Sequence, residues 1–217
     1  MINERKEINV EIWSDIMCPF CYLGKHRFEK ALSQFEEKDK VSVVWKSFQL
    51  NPSIITDPSV SINEYLSRSK GITAEQAGEM NEGIAAAGRI LGLEYNFGKV
   101  RVANTFRAHL LLHFAKKHGK QDEVKERLFI AYFTEGKNVD DTDVLAGVAA
   151  QAGLDAIKAY EAVTGEEFVD EVREDFYEAR QMEINSVPFF IFNRRYGING
   201  AQDPAVFLNV LHKSINQ

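Results

Sequence analysis

Ile8-Asn9-Val10-Glu11-Ile12-Trp13-Ser14-Asp15-Ile16-Met17-Cys18-Pro19-Phe20-Cys21-Tyr22-Leu23-Gly24-Lys25 is the stretch on which the fold turns. Its first seven residues alternate apolar and polar, the period of a half-buried strand. After Cys21, residues Leu23, Phe28, Ala31, Leu32 and Phe35 fall on one helical stripe. The cysteines therefore sit where a strand hands over to a helix. Pro19 suits the first helical position, where its missing N–H and fixed φ cost nothing. That makes Cys18 the N-cap, facing unpaired backbone N–H groups and the positive end of the helix dipole. Both favour a thiolate, and thiols so placed titrate at about 3.5–7.5 rather than about 8.5. Cys21 lies nearly a turn further in, close enough to pair. Cys18 reads as the attacking thiol and Cys21 as the resolving one.

These are the only two cysteines among 217 residues. Their spacing serves a dithiol/disulfide couple or half of a metal site. A net charge of −6 with dispersed Lys and Arg argues against a nucleic-acid partner. The charged opening Met1-Ile2-Asn3-Glu4-Arg5-Lys6-Glu7 has no apolar core of the kind a secretion signal needs. No apolar run reaches the ~18 residues of a membrane span. The expectation is a cytoplasmic protein without a membrane partner. In that compartment a cysteine pair serves catalysis or metal binding rather than stapling.

Outward from the junction, Val41-Ser42-Val43-Val44-Trp45-Lys46-Ser47-Phe48-Gln49-Leu50 reads as a second strand, giving strand–helix–strand. From about Ser61 to Glu183 the pattern is almost wholly helical. Thr73 with Gln76 makes a capping box for a helix running to about Leu91, and Asn104 caps the next, which Gly119 stops. Leu128, Phe129, Tyr132 and Phe133 mark another helix, Asp141 or Thr142 opens a further one, and 154–163 and 166–182 give two more. Strands return at Val187-Pro188-Phe189-Phe190-Ile191-Phe192 and, after a turn at Asn193-Arg194-Arg195, at Tyr196-Gly197-Ile198-Asn199-Gly200. Asp203 and Pro204 open a final helix. The fold class expected is α/β: a thioredoxin-like βαβ then ββα, with a large all-helical domain inserted between the halves. Residues 1–52 form the first half, 53–184 the insertion and 185–217 the second half.

On these motifs the chain resembles the DsbA-like thioredoxin superfamily. More narrowly it is similar to the cytosolic FrnE-type branch of dithiol–disulfide oxidoreductases and isomerases. Residues 14–25, the run Ser186-Val187-Pro188-Phe189-Phe190-Ile191-Phe192, Asn104-Thr105 with Ala108-His109, and Gly200-Ala201-Gln202 carry the resemblance. It implies a cis Pro188 facing the cysteine pair, with Val187 presenting its backbone to substrate. It also implies that an acidic residue in the first strand lies beneath the cysteines and shuttles protons; Glu11, followed by Ser14, matches that spacing, though the loop to Cys18 is one residue longer here, and a plain solvent-facing strand carboxylate fits Glu11 at least as well. Ser186 departs from the branch, which often has Gly there, and puts the backbone φ at that point in question.

The function expected is thiol–disulfide exchange on protein or small-molecule disulfides through Cys18 and Cys21, with no cofactor. Pro19 and Phe20 tune the Cys18 thiolate, and His109 lines the cleft. The related glutathione-dependent chromene-carboxylate isomerases and kappa-class transferases place a serine where Cys18 stands, so the intact pair disfavours that alternative. A zinc-stabilised, non-enzymatic protein would use Cys18, Cys21, His109 and His113; Pro19 in a helix-starting motif argues against it, and no metal ligand is assigned. His109 and His113 also fit a plain packed helix face.

Overall fold

A computed structural model describes residues 7–215. The central sheet has the order β2-β1-β5-β6. Its strands are β1 (Ile8–Ser14), β2 (Val41–Ser47), β5 (Phe189–Phe192) and β6 (Tyr196–Asn199). β1 runs parallel to β2 and antiparallel to β5, and β5 is antiparallel to β6. The parallel pair is joined by α1 (Pro19–Gln34), the long crossover such strands require. The β5–β6 hairpin turns on Asn193 and Arg194, whose φ angles are 50° and 55°. Arg195 N–H closes it on the Phe192 carbonyl at 2.9 Å, as a two-residue type I′ turn does.

Side chains alternate across β1. Ile8, Val10 and Ile12 face a core of Phe28, Phe35, Phe190, Phe192, Phe207 and Leu211, drawn from α1, β5 and α9 (Pro204–Ile215). Glu11 and Trp13 face the other way, toward α8 (Val169–Gln181). On that side Trp13 Nε1 donates to the Asp175 carbonyl at 3.2 Å.

Between β2 and β5 lie β3 (Asp57–Ser61), α2 (Ile62–Lys70), α3 (Ala74–Arg89), β4 (Arg101–Val102), α4 (Phe106–Lys117), α5 (Gln121–Phe129), α6 (Thr142–Gln151), α7 (Ala156–Thr164) and α8. The Thr73–Gln76 capping box forms as expected, and Asp141 caps α6. Two features depart from the helical expectation. β3 and β4 pair as a small antiparallel ribbon, and α5 runs on into a π turn over Ile130–Thr134. α2, capped by Ser61 with Glu64, also carries its own capping box.

Side chains from the helical region seal the exposed edge of β2. Gln121 both accepts from Trp45 N–H at 3.0 Å and donates to the Trp45 carbonyl at 2.9 Å. The Asp175 carboxylate accepts from Ser47 N–H at 2.8 Å. An edge strand left open pairs with other chains; here the helices occupy its backbone groups and are thereby fixed against the sheet. Among the described residues no helix is long and apolar enough to cross a membrane.

Candidate active site

Cys18 is the N-cap of α1, with φ −88° and ψ 110°, and Pro19 takes the first helical position. The loop before it is tied down by Asp15. The Asp15 carbonyl accepts from Cys18 N–H at 3.2 Å. Its carboxylate accepts from Leu50 N–H at 2.8 Å and Met17 N–H at 3.4 Å. The N-cap position is as the sequence implies, but the sulfur does not cap the helix. Cys18 Sγ turns instead to donate to the Val187 carbonyl at 3.4 Å. The Val187–Pro188 bond is cis. Ser186 has no positive φ, so serine stands there without backbone strain.

Cys18 is 4% exposed and Cys21 fully buried, both as free thiols. Cys18, and not Cys21, forms part of the wall of a cavity of about 420 Å³ between α1, α2, α3 and the segment before β5. Met17, Phe20, Leu66, Met80, Ile84 and Phe133 make much of its apolar lining, and among the described residues Lys70 is the one formally charged lining residue. Phe20 lies at this cavity, half exposed. A broader cleft of about 660 Å³ around Asn104, Arg107 and Asp140 does not reach the cysteines.

The two thiols titrate as a pair. The hydrogen bond between the sulfurs, then burial, raises Cys18 well above the ordinary thiol value. Burial pushes Cys21 up too, but the Cys18 hydrogen bond, the Lys125 charge, Ser14 and the Asp15 backbone together hold it below that value. The proton of the singly ionised pair therefore rests on Cys18. The expectation of a low Cys18 pKa from the helix terminus is corrected. The sulfur points at a carbonyl rather than at the helix N–H groups, and its neighbour takes the charge.

Glu11 does not lie beneath the cysteines. The two-residue period of β1 sends it to the opposite face of the sheet from α1, where it pairs with Arg194, itself bonded to Glu178 on α8. His109 does not line the cavity. It is fully buried on α4, with Nε2 3.6 Å from Asp15 Oδ1. Burial lowers its pKa, against the pull of Asp15. His113 turns to Asp175 at 3.0 Å and to Ser47 Oγ at 3.2 Å. The two histidines thus serve separate carboxylates instead of converging with the cysteines.

Two residues beside the pair escaped the sequence reading. Gly24 meets Pro188: a Cβ there would lie 2.8 Å from Pro188 Cγ. Lys125 on α5 is completely buried. A signal for it exists, since Lys125 shares the stripe of Val124, Leu128 and Phe129, all fully buried.

The profile of the family described as "DSBA-like thioredoxin domain" matches residues 9–212. An uncharacterized protein, YwbO, of Bacillus subtilis (strain 168) is 33% identical over 202 residues, covering 92% of this chain and 94% of that one. A probable DsbA oxidoreductase of Streptomyces coelicolor superimposes with TM-score 0.91 at 36% identity, over 97% of this chain and 91% of the other. The cytosolic disulfide reductase DsbM of Pseudomonas aeruginosa, solved with GSH, shares the fold at 14% identity and TM-score 0.66, over 96% of this chain and all of that one. With the cysteine pair at the first strand–helix junction and a cis proline beside it, this chain belongs to the DsbA-like thioredoxin-domain family, whose members are in general thiol–disulfide oxidoreductases.

Proposed function

We propose that the chain exchanges disulfides through Cys18 and Cys21, with Cys18 as the group that meets substrate. The carrying observation is one of access. Cys18 is the reactive atom in the cavity wall, and Cys21 lies behind it within hydrogen-bond reach. Cys18 attacks one sulfur of a substrate disulfide, giving a mixed disulfide and one free substrate thiol. Cys21 then attacks Cys18, releasing the second substrate thiol and leaving a Cys18–Cys21 disulfide. Two electrons pass from enzyme to substrate, and the two substrate thiolates released take up protons given by the enzyme thiols or by solvent. Reversal oxidises a dithiol, and partial reversal isomerises.

No cofactor takes part in these steps. The Val187 carbonyl beside Cys18 supports an extended substrate segment bonding there by strand addition. The apolar lining supports a disulfide flanked by apolar groups, from a protein or a small molecule. Cytoplasmic action, as in the FrnE-type branch, fits the absence of structural disulfides. Disulfide reduction by wild type and Cys18→Ser, coupled to an external reductant, tests the reading. Activity should vanish with Cys18→Ser; turnover retained at the wild-type rate would overturn it.

A further inference from the structure

The cavity that opens onto Cys18 carries a single charge at one end of an apolar wall, which the exchange steps above leave without a task. α2 presents Ile62, Tyr65, Leu66, Ser69 and Lys70 to this cavity, the three-and-four spacing of one helical face. Lys70 lies in the last turn of α2, about 12 Å along the helix from Ile62 at about 1.5 Å per residue. α3 adds Met80, Asn81 and Ile84. Among the described residues no carboxylate lines the cavity. Arg68, two residues earlier, is paired with Glu64 at 3.7 Å; Lys70 has no ion pair among the described residues. Phe20, Leu50 and Met80 stand nearly half exposed around the same space, and apolar surface gathered in this way marks a binding site.

Access and charge together narrow what it binds. Cys18 is 4% exposed, so a substrate sulfur must reach it inside the cavity. A disulfide fixed in the surface of a folded protein cannot bring its surroundings along. The volume of about 420 Å³ falls within the range of small-molecule sites, about 300–1,000 Å³. A glutathione-type peptide carries two carboxylates and an ammonium, most of which would meet apolar walls without a partner, at a cost. An aliphatic body with one carboxylate matches the apolar walls and the lone cation. The Tyr65 hydroxyl accepts from Asn51 Nδ2 at 3.0 Å and keeps its own O–H to donate.

We propose that this cavity selects low-molecular-mass disulfides with an aliphatic body and a single carboxylate, with Lys70 as the specificity-determining residue that holds the carboxylate while the sulfur lies at Cys18. The proposal rests on the reading of Cys18 as the group that meets substrate, and deepens it. The Cys18 thiolate attacks the nearer substrate sulfur, the substrate S–S bond breaks, and the departing thiolate takes a proton from solvent. Cys21 then displaces the acid-bearing thiol from Cys18, so two electrons pass from enzyme to substrate. Lys70 moves no proton.

Octanoate and its neutral counterpart octanamide test the site without any exchange chemistry, through protection of Cys18 from iodoacetamide. Octanoate should protect at lower concentration than octanamide. Lys70 is exposed, so substitutions there leave the fold intact. Lys70→Ala should raise the half-protecting octanoate concentration by up to about fivefold, the upper end for an exposed ion pair, and Lys70→Glu should raise it further. Octanamide should be unaffected by either. Absence of protection by octanoate, or the same protection in wild type and Lys70→Glu, would overturn the proposal. The substrate class is read from pyridyl disulfides of mercaptohexanoate, mercaptohexanol and glutathione, whose attack by Cys18 releases pyridinethione, each rate divided by that with a free thiol. The mercaptohexanoate reagent should react fastest in wild type and lose its lead over mercaptohexanol in Lys70→Glu. A glutathione reagent that matches or exceeds it would overturn the class. If octanoate protects but Cys18 reacts with none of the three, the exchange reading fails and the carboxylate site stands.

Discussion

Gly24 and Pro188 are in direct contact: a methyl group on Gly24 would come within 2.8 Å of Pro188 Cγ. Gly24 lies one turn beyond Cys21 on α1, and Pro188 follows the carbonyl that Cys18 contacts. The missing side chain therefore sets how closely the proline segment approaches the cysteines. A proline ring has little freedom to yield. Gly24→Ala must push α1 and the 187–188 segment apart, and overpacking of this kind costs about 1–3 kcal/mol. Alanine's better helix propensity returns less than about 1 kcal/mol. The expected outcome is a lower denaturation midpoint and slower exchange. A variant as stable and active as wild type would show that the contact is not limiting.

Alkylation separates access from ionisation. In the reduced native protein iodoacetamide should modify Cys18, since Cys21 is buried behind it. The hydrogen bond that Cys18 donates to Cys21 is the first cause of the raised Cys18 pKa. Cys21→Ala removes it and should lower that pKa, so Cys18 should alkylate faster near neutral pH than in wild type. The same variant should accumulate mixed disulfides because the resolving thiol is gone. Mass spectrometry of briefly labelled samples reads both effects. Slower labelling of Cys18 in Cys21→Ala would reverse the assignment of the shared proton.

Acid should loosen the fold in two stages. His109 is held below its ordinary value by burial, so the unfolded chain takes up a proton that the native state refuses. Its contribution is whole above about pH 6.5 and falls away as the pH drops below that value. Burial alone would raise Asp175, but His113, Lys46 and Ser47 N–H lower it, and Asp15 is likewise held low. Stability from both carboxylates is whole above the unfolded value of about 3.9 and is lost as the pH falls through their lower native values. Asp175→Asn should reduce the lower stage. It should also cost about 3 kcal/mol at neutral pH, near the low end for breaking a buried pair, since Glu178 still holds Lys46. Urea titrations at a series of pH values measure both stages. A stability curve flat between pH 7 and about pH 5 would rule out the His109 contribution.

What the sequence discloses of this fold is what local chemistry determines. Pro19 after Cys18 marks the helix start, and Thr73 with Gln76 marks another, because caps involve neighbours only. The strand patterns of 8–14 and 189–192 were legible for the same reason, whereas the cis proline was expected only from the family resemblance. The β3–β4 ribbon was not legible. Asp57-Pro58-Ser59-Val60-Ser61 is largely exposed and unpatterned, and its partner strand is two residues long. Glu11 had the right spacing but the wrong face, a consequence of sheet alternation that the motif spacing alone hides. The burial of Lys125 was legible only as its place on the stripe of Val124, Leu128 and Phe129, and its setting between the Trp45 and Phe129 rings required tertiary structure. The pKa order of the cysteines depended on where the Cys18 sulfur points, which no sequence rule specifies.

Phe20 bears on the direction of exchange. It stands between the two cysteines, half exposed, at the rim of the cavity that Cys18 opens into. Its ring offers the Cys18 sulfur neither a hydrogen bond nor a charge. A histidine there, with a pKa near about 6.5 in its free form, presents an N–H and, when protonated, a positive charge. Stabilising a Cys18 thiolate stabilises the reduced form and makes the couple more oxidising. Phe20→His should therefore lower the Cys18 pKa and raise the potential. One hydrogen bond to a charged group contributes about 1.5–3 kcal/mol, and for a two-electron couple about 1.4 kcal/mol corresponds to about 30 mV. The rise should thus be at least about 30 mV, and larger at lower pH, where the imidazole is charged. A glutathione redox titration of wild type and Phe20→His at two pH values measures it. The wild-type protein should be the weaker oxidant of the two, suited to reducing or isomerising disulfides. Equal midpoints, or a more reducing variant, would show that the residue after Pro19 does not set the potential.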